Sequence, residues 1–330
     1  MRLDWHVKNA EKRHTATSLH KVNNWKEHRK VLIGHASTAV REEVAIAGED
    51  GCQSEGFICQ EEGLLTGLEE QTTPVLSLIV PAFNEGVQIR MNLKESVEVL
   101  RTFGVPFEVV VVNDGSHDDT RKHIDSAARD FPEIVYVTYR KNSGKGNALT
   151  EGVRFAMGNL VAFMDADLEI HPRQLVRFME EMEGNGADVV IGSKRHPGSK
   201  VDYPLKRRFL SWGFSLLVRS LFGLKLSDTQ PGFKLFKKEV LERELPKLVV
   251  KKYAFDLELL VNADQDGFRI VEVPIELHFN RKEGGRIGFG EAKDIFLDTL
   301  GIFYRLRIIR YYEREGSLIG GQHTHTTPVV

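Results

Sequence analysis

From residue 75 onward, short apolar runs alternate with longer stretches in which apolar residues recur at helical spacing. The apolar runs predict five strands: Val75–Val80, Phe107–Val112, Ile134–Thr138, Leu160–Met164 and Ala187–Ile191. The stretches between them predict four helices: Asn84–Phe103, Asp118–Asp130, Lys145–Met157 and Pro172–Met182. Because the strands are largely apolar, the pattern predicts an α/β fold with a mostly parallel central sheet and helices on both faces.

The two ends of the chain lack this regularity. In residues 1–73 the apolar side chains are scattered among charges and glycines, which predicts a poorly structured N-terminal extension with a short helix near Thr38–Ala47. Residues 316–330 are small, polar and His-bearing, which predicts a disordered tail.

Composition narrows the classes of protein. The chain has 330 residues, of which 41% are hydrophobic and 28% charged, and this excludes collagen, a coiled coil and wholesale disorder. A net charge of −2 argues against a nucleic-acid partner. Two cysteines are too few for a disulfide framework. Without a visible signal peptide or an uncharged apolar run of about 20 residues, we expect a cytoplasmic protein, or one on a membrane surface without a transmembrane span.

Polar clusters follow the predicted strands, and ligands of such sheets bind at the carboxyl ends of the strands. After the second strand, Asp114 is placed to accept hydrogen bonds from a ligand base, although an acidic turn also serves as a helix cap. After the third strand, the loop Arg140–Asn147 combines cations with a helix N-terminus, which suits phosphate, although such charge runs are also common on solvated surfaces.

The sharpest local feature is Asp165-Ala166-Asp167, directly after the fourth strand. Two carboxylates one residue apart at a strand end can hold a hard divalent cation, and Mg²⁺ typically takes one or two carboxylates together with substrate phosphates. Glu169 lies two residues further and is a candidate third ligand. The sequence therefore predicts a Mg²⁺ or Mn²⁺ site with the ligands Asp165, Asp167 and Glu169.

Taken together, these clusters resemble those of the family 2 glycosyltransferases of the GT-A fold, over roughly Val75 to Arg314. Within that family the chain is most similar to the polyprenyl-phosphate (dolichyl-phosphate) hexosyltransferases. The later segments that carry this similarity are Gly192-Ser193-Lys194-Arg195, Asp228–Phe236 and Phe255–Leu260, which resemble the glucosyltransferase branch, and Asp167–Pro172, which resembles the mannosyltransferase branch.

The resemblance implies a Rossmann-like nucleotide-sugar-binding GT-A domain over residues 74–290. It implies that Asp165 and Asp167 bind Mg²⁺ or Mn²⁺ and, through it, the diphosphate, with Asp167 also counted as catalytic. The implied nucleotide-sugar-binding residues are Pro81, Ala82, Phe83, Glu85, Asp114, Lys145, Asp165, Ala166, Lys194 and Arg195. Two residues depart from the family pattern. Glu169 replaces the Gln that is usual in the mannosyltransferase branch. Lys194 or Arg195 takes the place of an Arg, although Lys lacks the planar guanidinium that can bind two oxygens at once.

Two basic, aromatic-rich segments suit an anionic membrane surface. No acidic residue lies between Asp202 and Asp228, and we expect a membrane-facing acceptor helix at about 203–226. A second amphipathic basic segment is predicted at residues 291–315. A core helix with solvated cations is the alternative interpretation of the first segment.

The resemblance implies an inverting hexose transfer to a polyprenyl or dolichyl phosphate, with UDP-glucose as the favoured donor and GDP-mannose as the second. A lipid phosphate is already anionic and needs positioning rather than deprotonation, and the candidates for holding it are Arg207, Arg208 and Arg281. If the acceptor were a sugar hydroxyl, a general base would be required, and Asp228 is the candidate.

Two other functions stay open at this point. One is a family 2 transferase that acts on a sugar hydroxyl or another lipid in glycan or cell-envelope synthesis. The other is a nucleotide-sugar-binding protein without turnover, against which the Asp165 and Asp167 pair argues. A dinucleotide-binding dehydrogenase is disfavoured because no G-x-G-x-x-G follows the first strand.

Overall fold

The computed structural model describes residues 73–201, 205–278 and 289–313, and side chains at 205–212, 289, 291 and 292 are outside the description. The predicted N-terminal extension up to residue 72, its helix near Thr38–Ala47, the tail at 316–330 and Arg281 lie outside the described residues. The predicted domain boundaries therefore stay predictions.

The first half of the fold alternates strands and helices as predicted. Its elements are β1 (Leu76–Ala82), α1 (Gln88–Arg101), β2 (Phe107–Asp114), α2 (Thr120–Asp130), β3 (Ile134–Tyr139), α3 (Lys145–Phe155) and β4 (Leu160–Phe163). The helices begin or end a few residues inside the predicted ranges, because the terminal residues of a helix often adopt turn conformations. Every strand and helix predicted for this half is present.

The second half contains elements that the apolar pattern did not predict. Its helices are a 3₁₀ turn (Pro172–Gln174), α4 (Leu175–Asn185), α5 (Leu205–Phe222), α6 (Lys238–Glu244), a second 3₁₀ turn (Leu245–Lys247), α7 (Phe255–Gln265), α8 (Phe289–Phe303) and a π-helical turn (Tyr304–Ile308). Its strands are β5 (Val189–Ser193), β6 (Lys200–Val201), β7 (Lys234–Lys237), β8 (Ile270–Pro274) and β9 (Glu276–Leu277).

The central sheet has seven strands in the order β3-β2-β1-β4-β7-β5-β8, and β6 pairs with β9 in a small second sheet. Neighbouring strands of the large sheet run parallel, except that β7 runs antiparallel to both β4 and β5. The prediction of a mostly parallel sheet is confirmed. The inserted antiparallel strand β7 was not predicted.

A hydrophobic core lies on each face of the sheet, as predicted. Along β1, Leu78 and Val80 join the core that contains Leu93 of α1, whereas Ile79 joins the core that contains Leu149 of α3. Successive side chains of a strand point to opposite faces, so a strand covered on both faces is expected to be mostly apolar. The polar exception in β1 is Ser77, which is buried and donates a hydrogen bond to Glu108.

The chain order places a crevice beside β1 and β4. From β1 the chain proceeds outward through β2 and β3, and it then returns to add β4 on the other side of β1. Ligands of open α/β sheets bind outside the carboxyl ends of the strands where the order reverses in this way. The turns that follow β1 and β4 flank this position.

Candidate active site

The turn after β4 presents three acidic side chains on one side. Asp165, Asp167 and Glu169 are partly exposed, and they alternate with the buried residues Ala166, Leu168 and Ile170. The apolar residues join the core beneath the sheet, which directs the acidic ones away from it. An open cleft receives them, together with Lys194 and the segment Gln230–Phe233.

Asp165 forms an ion pair with a lysine from another element. The Nζ of Lys145, at the start of α3, lies 2.6 Å from Oδ1 of Asp165. Burial alone would lower the pKa of Lys145, but the negative charges of Asp165, Asp256 and Asp167 outweigh it and raise the pKa well above its usual value. Lys145 is therefore a cation held against Asp165, a residue that lines the cleft.

Gly232 packs directly against the Asp165 carboxylate. A Cβ at position 232 would overlap Oδ2 of Asp165, so any larger residue would have to displace the carboxylate or the loop. The sequence motif around Gly232 was recognised, but this contact between segments 67 residues apart in the chain was not predicted.

The backbone of the acidic turn is held from α1. Asn92 is buried, and its side-chain Nδ2 donates a hydrogen bond of 2.7 Å to the carbonyl of Ala166, while its Oδ1 accepts one of 3.0 Å from Gln88. Leu168 in the same turn has a φ of 53°, a conformation that needs support from its surroundings. Sequence reasoning missed Asn92, whose only signal is a polar residue on the apolar face of a helix.

The acidic turn fits a divalent cation that shares its coordination with a ligand. Among the described residues, no three His, Cys, Asp or Glu side chains converge on one point that could hold a metal ion. Asp165 and Asp167 nevertheless offer carboxylate oxygens to the same cleft, which suits the mode in which Mg²⁺ takes one or two carboxylates and phosphate oxygens. The role of Glu169 as a third ligand stays a prediction.

The loop after β1 is tied to the loop after β2. Asn84, at φ 54°, donates its N–H to Ser116 and accepts the N–H of His117 on its side chain. The N–H of Glu85 donates to Thr120 Oγ1 at 2.8 Å. Phe83 is 37% exposed and meets the His117 ring edge-on, with the ring centroids 6.2 Å apart.

These hydrogen bonds place the predicted nucleoside-binding residues at the crevice. Pro81 and Ala82 are the last residues of β1, and the Phe83 ring and the Glu85 carboxylate follow in the loop. Their roles in binding stay predictions.

Asp114 organises the basic loop that carries Lys145. Its Oδ1 accepts the N–H of Ser143 at 2.7 Å, and its Oδ2 accepts the N–H of Gly144 at 2.9 Å. Gly144 has a φ of 98°, which other residues rarely adopt. Asp114 thus fixes the entry to α3, and its predicted contact with a ligand base would use the remaining lone pairs of the carboxylate.

On the other side of the cleft, Asp228 binds the segment after β5. Its Oδ2 accepts the N–H of Lys194 at 3.2 Å and lies 3.9 Å from the Lys194 ammonium, while its Oδ1 accepts the N–H of Gln230. Arg195 donates to the carbonyl of Ser227, and burial lowers the pKa of its guanidinium. These contacts bring Lys194, Arg195 and Asp228 together, whereas the proposed base role of Asp228 stays a prediction.

A buried ion pair lies behind the cleft. Lys234 is fully buried, and its Nζ bonds to the carbonyl of Pro231 and lies 2.9 Å from Oδ1 of Asp256. Burial lowers the pKa of Lys234, while Asp256 acts in the opposite direction. Because Pro231 precedes Gly232, the pair fixes the segment that packs on Asp165.

The residues predicted to face the lipid are described less completely. Arg207 and Arg208 lie on α5, but their side chains are outside the description, as is the whole of Arg281. The inner faces of α5 and α8 meet at Phe222 and Phe303. In the part of the chain that the structure covers, no helix is both long enough and apolar enough to cross a membrane.

The outer face of α8 and the following turn exposes large apolar side chains. They recur about once per helical turn, and they are Phe296, Leu297, Leu300, Tyr304 and Ile308. The cations Lys293 and Arg307 are exposed on the same segment. A helix that exposes both apolar residues and cations is typical of an interfacial segment.

The sheet order and the acidic turn at the carboxyl ends of the strands are those of a GT-A fold. The profile of Glycosyl transferase family 2 matches residues 77–245. The chain belongs to this family, as its motifs predicted.

Two relatives have names that refer to lipid phosphates. The chain is 31% identical over 264 residues to a dolichyl-phosphate beta-glucosyltransferase of Dictyostelium discoideum, with 74% of this chain and 80% of the relative covered. It is 33% identical over 220 residues to an undecaprenyl-phosphate mannosyltransferase of Micrococcus luteus, with 64% of this chain and 88% of the relative covered.

A solved structure shares the fold. Glucosyl-3-phosphoglycerate synthase from Mycobacterium tuberculosis, in complex with Mn²⁺, UDP-glucose and phosphoglyceric acid, superimposes with a TM-score of 0.51. The identity is 19%, and the match covers 70% of this chain and 79% of that one. This likeness concerns the fold alone.

Proposed function

We propose that the protein transfers a hexose from a nucleotide sugar to a polyprenyl or dolichyl phosphate, with inversion, giving a β-linked lipid-phosphate sugar. The observation that carries this proposal is the cleft in which Asp165 and Asp167 meet Lys194 at the carboxyl ends of the strands. The names of the two relatives support a lipid phosphate as acceptor. UDP-glucose is the favoured donor, and GDP-mannose is the second.

On the donor side, the chain's own groups act on the diphosphate. Asp165 and Asp167 would hold Mg²⁺ or Mn²⁺, which supplies positive charge to the leaving diphosphate. Lys194 lines this cleft, and Lys145 contacts Asp165 within it, so both would add positive charge near the diphosphate. Such preorganised charge is usually the largest contribution to catalysis of this kind. Asn92 and Gly232 set the position of the acidic turn.

On the acceptor side, the phosphate is the nucleophile. It is anionic at neutral pH, so the protein has to position it against the anomeric carbon rather than remove a proton. Arg207, Arg208 and Arg281 are proposed to do this through charge-assisted hydrogen bonds. Asp228, whose carboxylate accepts two backbone N–H groups, serves in this proposal to shape the loop.

The acceptor would come from a membrane to which the protein binds peripherally, on its cytosolic face. The exposed side chains of α8, such as Phe296 and Leu297, would enter the headgroup region, and Lys293 and Arg307 would face anionic lipid.

The direct test is a transfer assay with the full chain. Purified protein is incubated with Mg²⁺, a polyprenyl phosphate in vesicles and either labelled UDP-glucose or labelled GDP-mannose, and the lipid phase is extracted. We expect label in the lipid from one donor and none when the unphosphorylated polyprenol replaces the phosphate. Label that stays in water with both donors, or that enters the polyprenol equally well, would contradict the proposal.

A further inference from the structure

The ammonium group of Lys145 pairs with Asp165, one of the carboxylates proposed to hold a metal. The Nζ of Lys145 lies 2.6 Å from Oδ1 of Asp165, and the two side chains are 26% and 44% exposed. Lys145 is the first residue of α3. The backbone just before it is fixed by Asp114, whose carboxylate accepts the N–H groups of Ser143 and Gly144. The lysine is therefore delivered to Asp165 by an anchored loop.

The neighbouring charges explain why Lys145 is the counter-ion of Asp165. Asp256 lies behind the cleft and is already paired with Lys234 at 2.9 Å. Lys234 is fully buried and also bonded to a backbone carbonyl, so it is committed to that position. Asp167 adds a further negative charge near Lys145. Of these two lysines, Lys145 contacts Asp165, which lines the cleft, whereas Lys234 is committed to Asp256.

A divalent cation and the Lys145 ammonium compete for the same carboxylate. Mg²⁺ requires oxygen ligands at about 2.0–2.1 Å, close to the oxygen that Lys145 now contacts. Like charges at such short separation repel strongly in a partly buried site. A metal that binds through Oδ1 of Asp165 would therefore compete with the ammonium of Lys145 for that oxygen.

The donor diphosphate offers the displaced ammonium a new partner. It would arrive with the metal, and it would lie near the N-terminus of α3, where backbone N–H groups also favour anions. Lys145 is on the first turn of that helix and needs only a side-chain movement to exchange a carboxylate for a phosphate.

We propose that Lys145 is an internal counter-cation: it neutralises Asp165 before the metal binds, and it transfers to the donor diphosphate when the metal takes its place. The exchange makes metal binding weak without the nucleotide and strong with it. This inference rests on the proposed function, because it assumes a nucleotide diphosphate in the cleft.

The test measures Mn²⁺ affinity of the full chain by electron paramagnetic resonance of free Mn²⁺, first without nucleotide and then with UDP. For Lys145→Gln, we expect Mn²⁺ to bind about tenfold more tightly than to the wild type when UDP is absent, because a nearby positive charge has been removed. We expect UDP to increase Mn²⁺ affinity less in this variant than in the wild type.

Two further variants separate a specific exchange from a general charge effect. Lys141→Gln removes an exposed cation from the same loop, and its Mn²⁺ affinity without UDP should stay within about twofold of the wild type, since exposed charges are screened. Lys145→Arg keeps the charge and should keep the weak affinity of the wild type. Thermal unfolding of each variant checks that it is folded.

The outcomes are distinguishable from a failure of the proposed function. Equal or weaker Mn²⁺ binding by Lys145→Gln, or an equal gain in Lys141→Gln, would overturn the counter-cation even if the wild type transfers sugar to lipid. A tighter Mn²⁺ site in Lys145→Gln alone, with a reduced response to UDP, supports it. A wild type that binds neither Mn²⁺ nor UDP would overturn both proposals.

Discussion

The acidic turn after β4 and the outer face of α8 differ in how far contacts within the chain cover their side chains. In the turn, Asn92 bonds the backbone, Lys145 pairs with Asp165, and Gly232 packs against the same carboxylate. On α8, large apolar side chains such as Leu297 are about half exposed. The acidic turn, which we propose as the donor side, is thus held by contacts within the chain. The outer face of α8, which we propose to contact the membrane, exposes an apolar surface instead.

This difference predicts that small changes in the turn act on turnover, and that changes on α8 act on membrane binding. Four substitutions, each with a matched control, test this difference.

Asp165→Asn removes the charge at the centre of the acidic turn. We expect turnover to fall at least about 100-fold, because the leaving diphosphate loses its electrostatic support. Removing divalent cations with a chelator should produce a similar loss in the wild type. Initial rates of sugar transfer measure both effects.

The matched control is Asp130→Asn, which removes an exposed carboxylate paired with Arg90 on the protein surface. It should leave turnover unchanged, since exposed ion pairs contribute little. If Asp165→Asn were as active as Asp130→Asn, Asp165 would have no role in binding a metal or the donor.

Gly232→Ala places a methyl group where the Asp165 carboxylate lies. We expect turnover to fall about 30-fold, which is within the roughly 100-fold loss that a 1 Å misplacement of a catalytic group can cause. The control is Gly184→Ala on α4, where an added methyl group meets nothing within 4 Å. Equal rates in the two alanine variants would show that the packing of Gly232 on Asp165 is unimportant.

Asn92→Ala removes the hydrogen bond to the carbonyl of Ala166. We expect turnover to fall about tenfold, because leaving a buried backbone acceptor unpaired costs about 1–3 kcal/mol and loosens the turn. Ser96→Ala removes a buried hydrogen bond one turn further along α1, to the carbonyl of Asn92, and is the control.

The two α1 variants differ in what they should affect. Both should lower thermal stability, but only Asn92→Ala should also weaken Mn²⁺ binding. A Ser96→Ala variant with the same loss of Mn²⁺ affinity would mean that α1 acts through overall stability alone.

Leu297→Glu introduces a charge on the exposed face of α8. We expect binding to anionic vesicles to weaken about fivefold, because the contribution of a partly inserted leucine, about 1 kcal/mol, is lost. UDP binding should not change. The control is Met91→Glu, at a similarly exposed apolar residue on α1. Vesicle cosedimentation compares the two, and an equal loss in both would remove α8 from the membrane contact.

Much of the first half of the fold could be predicted because its information is local. Apolar runs such as Phe107–Val112 mark strands that are buried on both faces, and every helix between them carries a clear period. The acidic turn was found for the same reason, since Asp165 and Asp167 directly follow such a strand. Their assembly at one edge follows from parallel strands.

Strand β7 shows where local patterns fail. It begins with Lys234, a residue that predicts exposure but is fully buried here, because Asp256 from α7 and the carbonyl of Pro231 pair with its ammonium. A four-residue strand that begins and ends with lysine carries little apolar signal, and its position between β4 and β5 depends on pairing with distant segments.

The sequence alone determined the alternation of strands and helices, the family resemblance and the residue types at the strand ends, because these depend on short-range periodicity and spacing. The sequence does not reveal that Lys145 pairs with Asp165, that Gly232 leaves room for that carboxylate or that Asn92 holds the turn beneath it. Each of these contacts joins segments 20 or more residues apart. Such contacts arise from the packing of whole elements, which leaves no periodic trace along the chain.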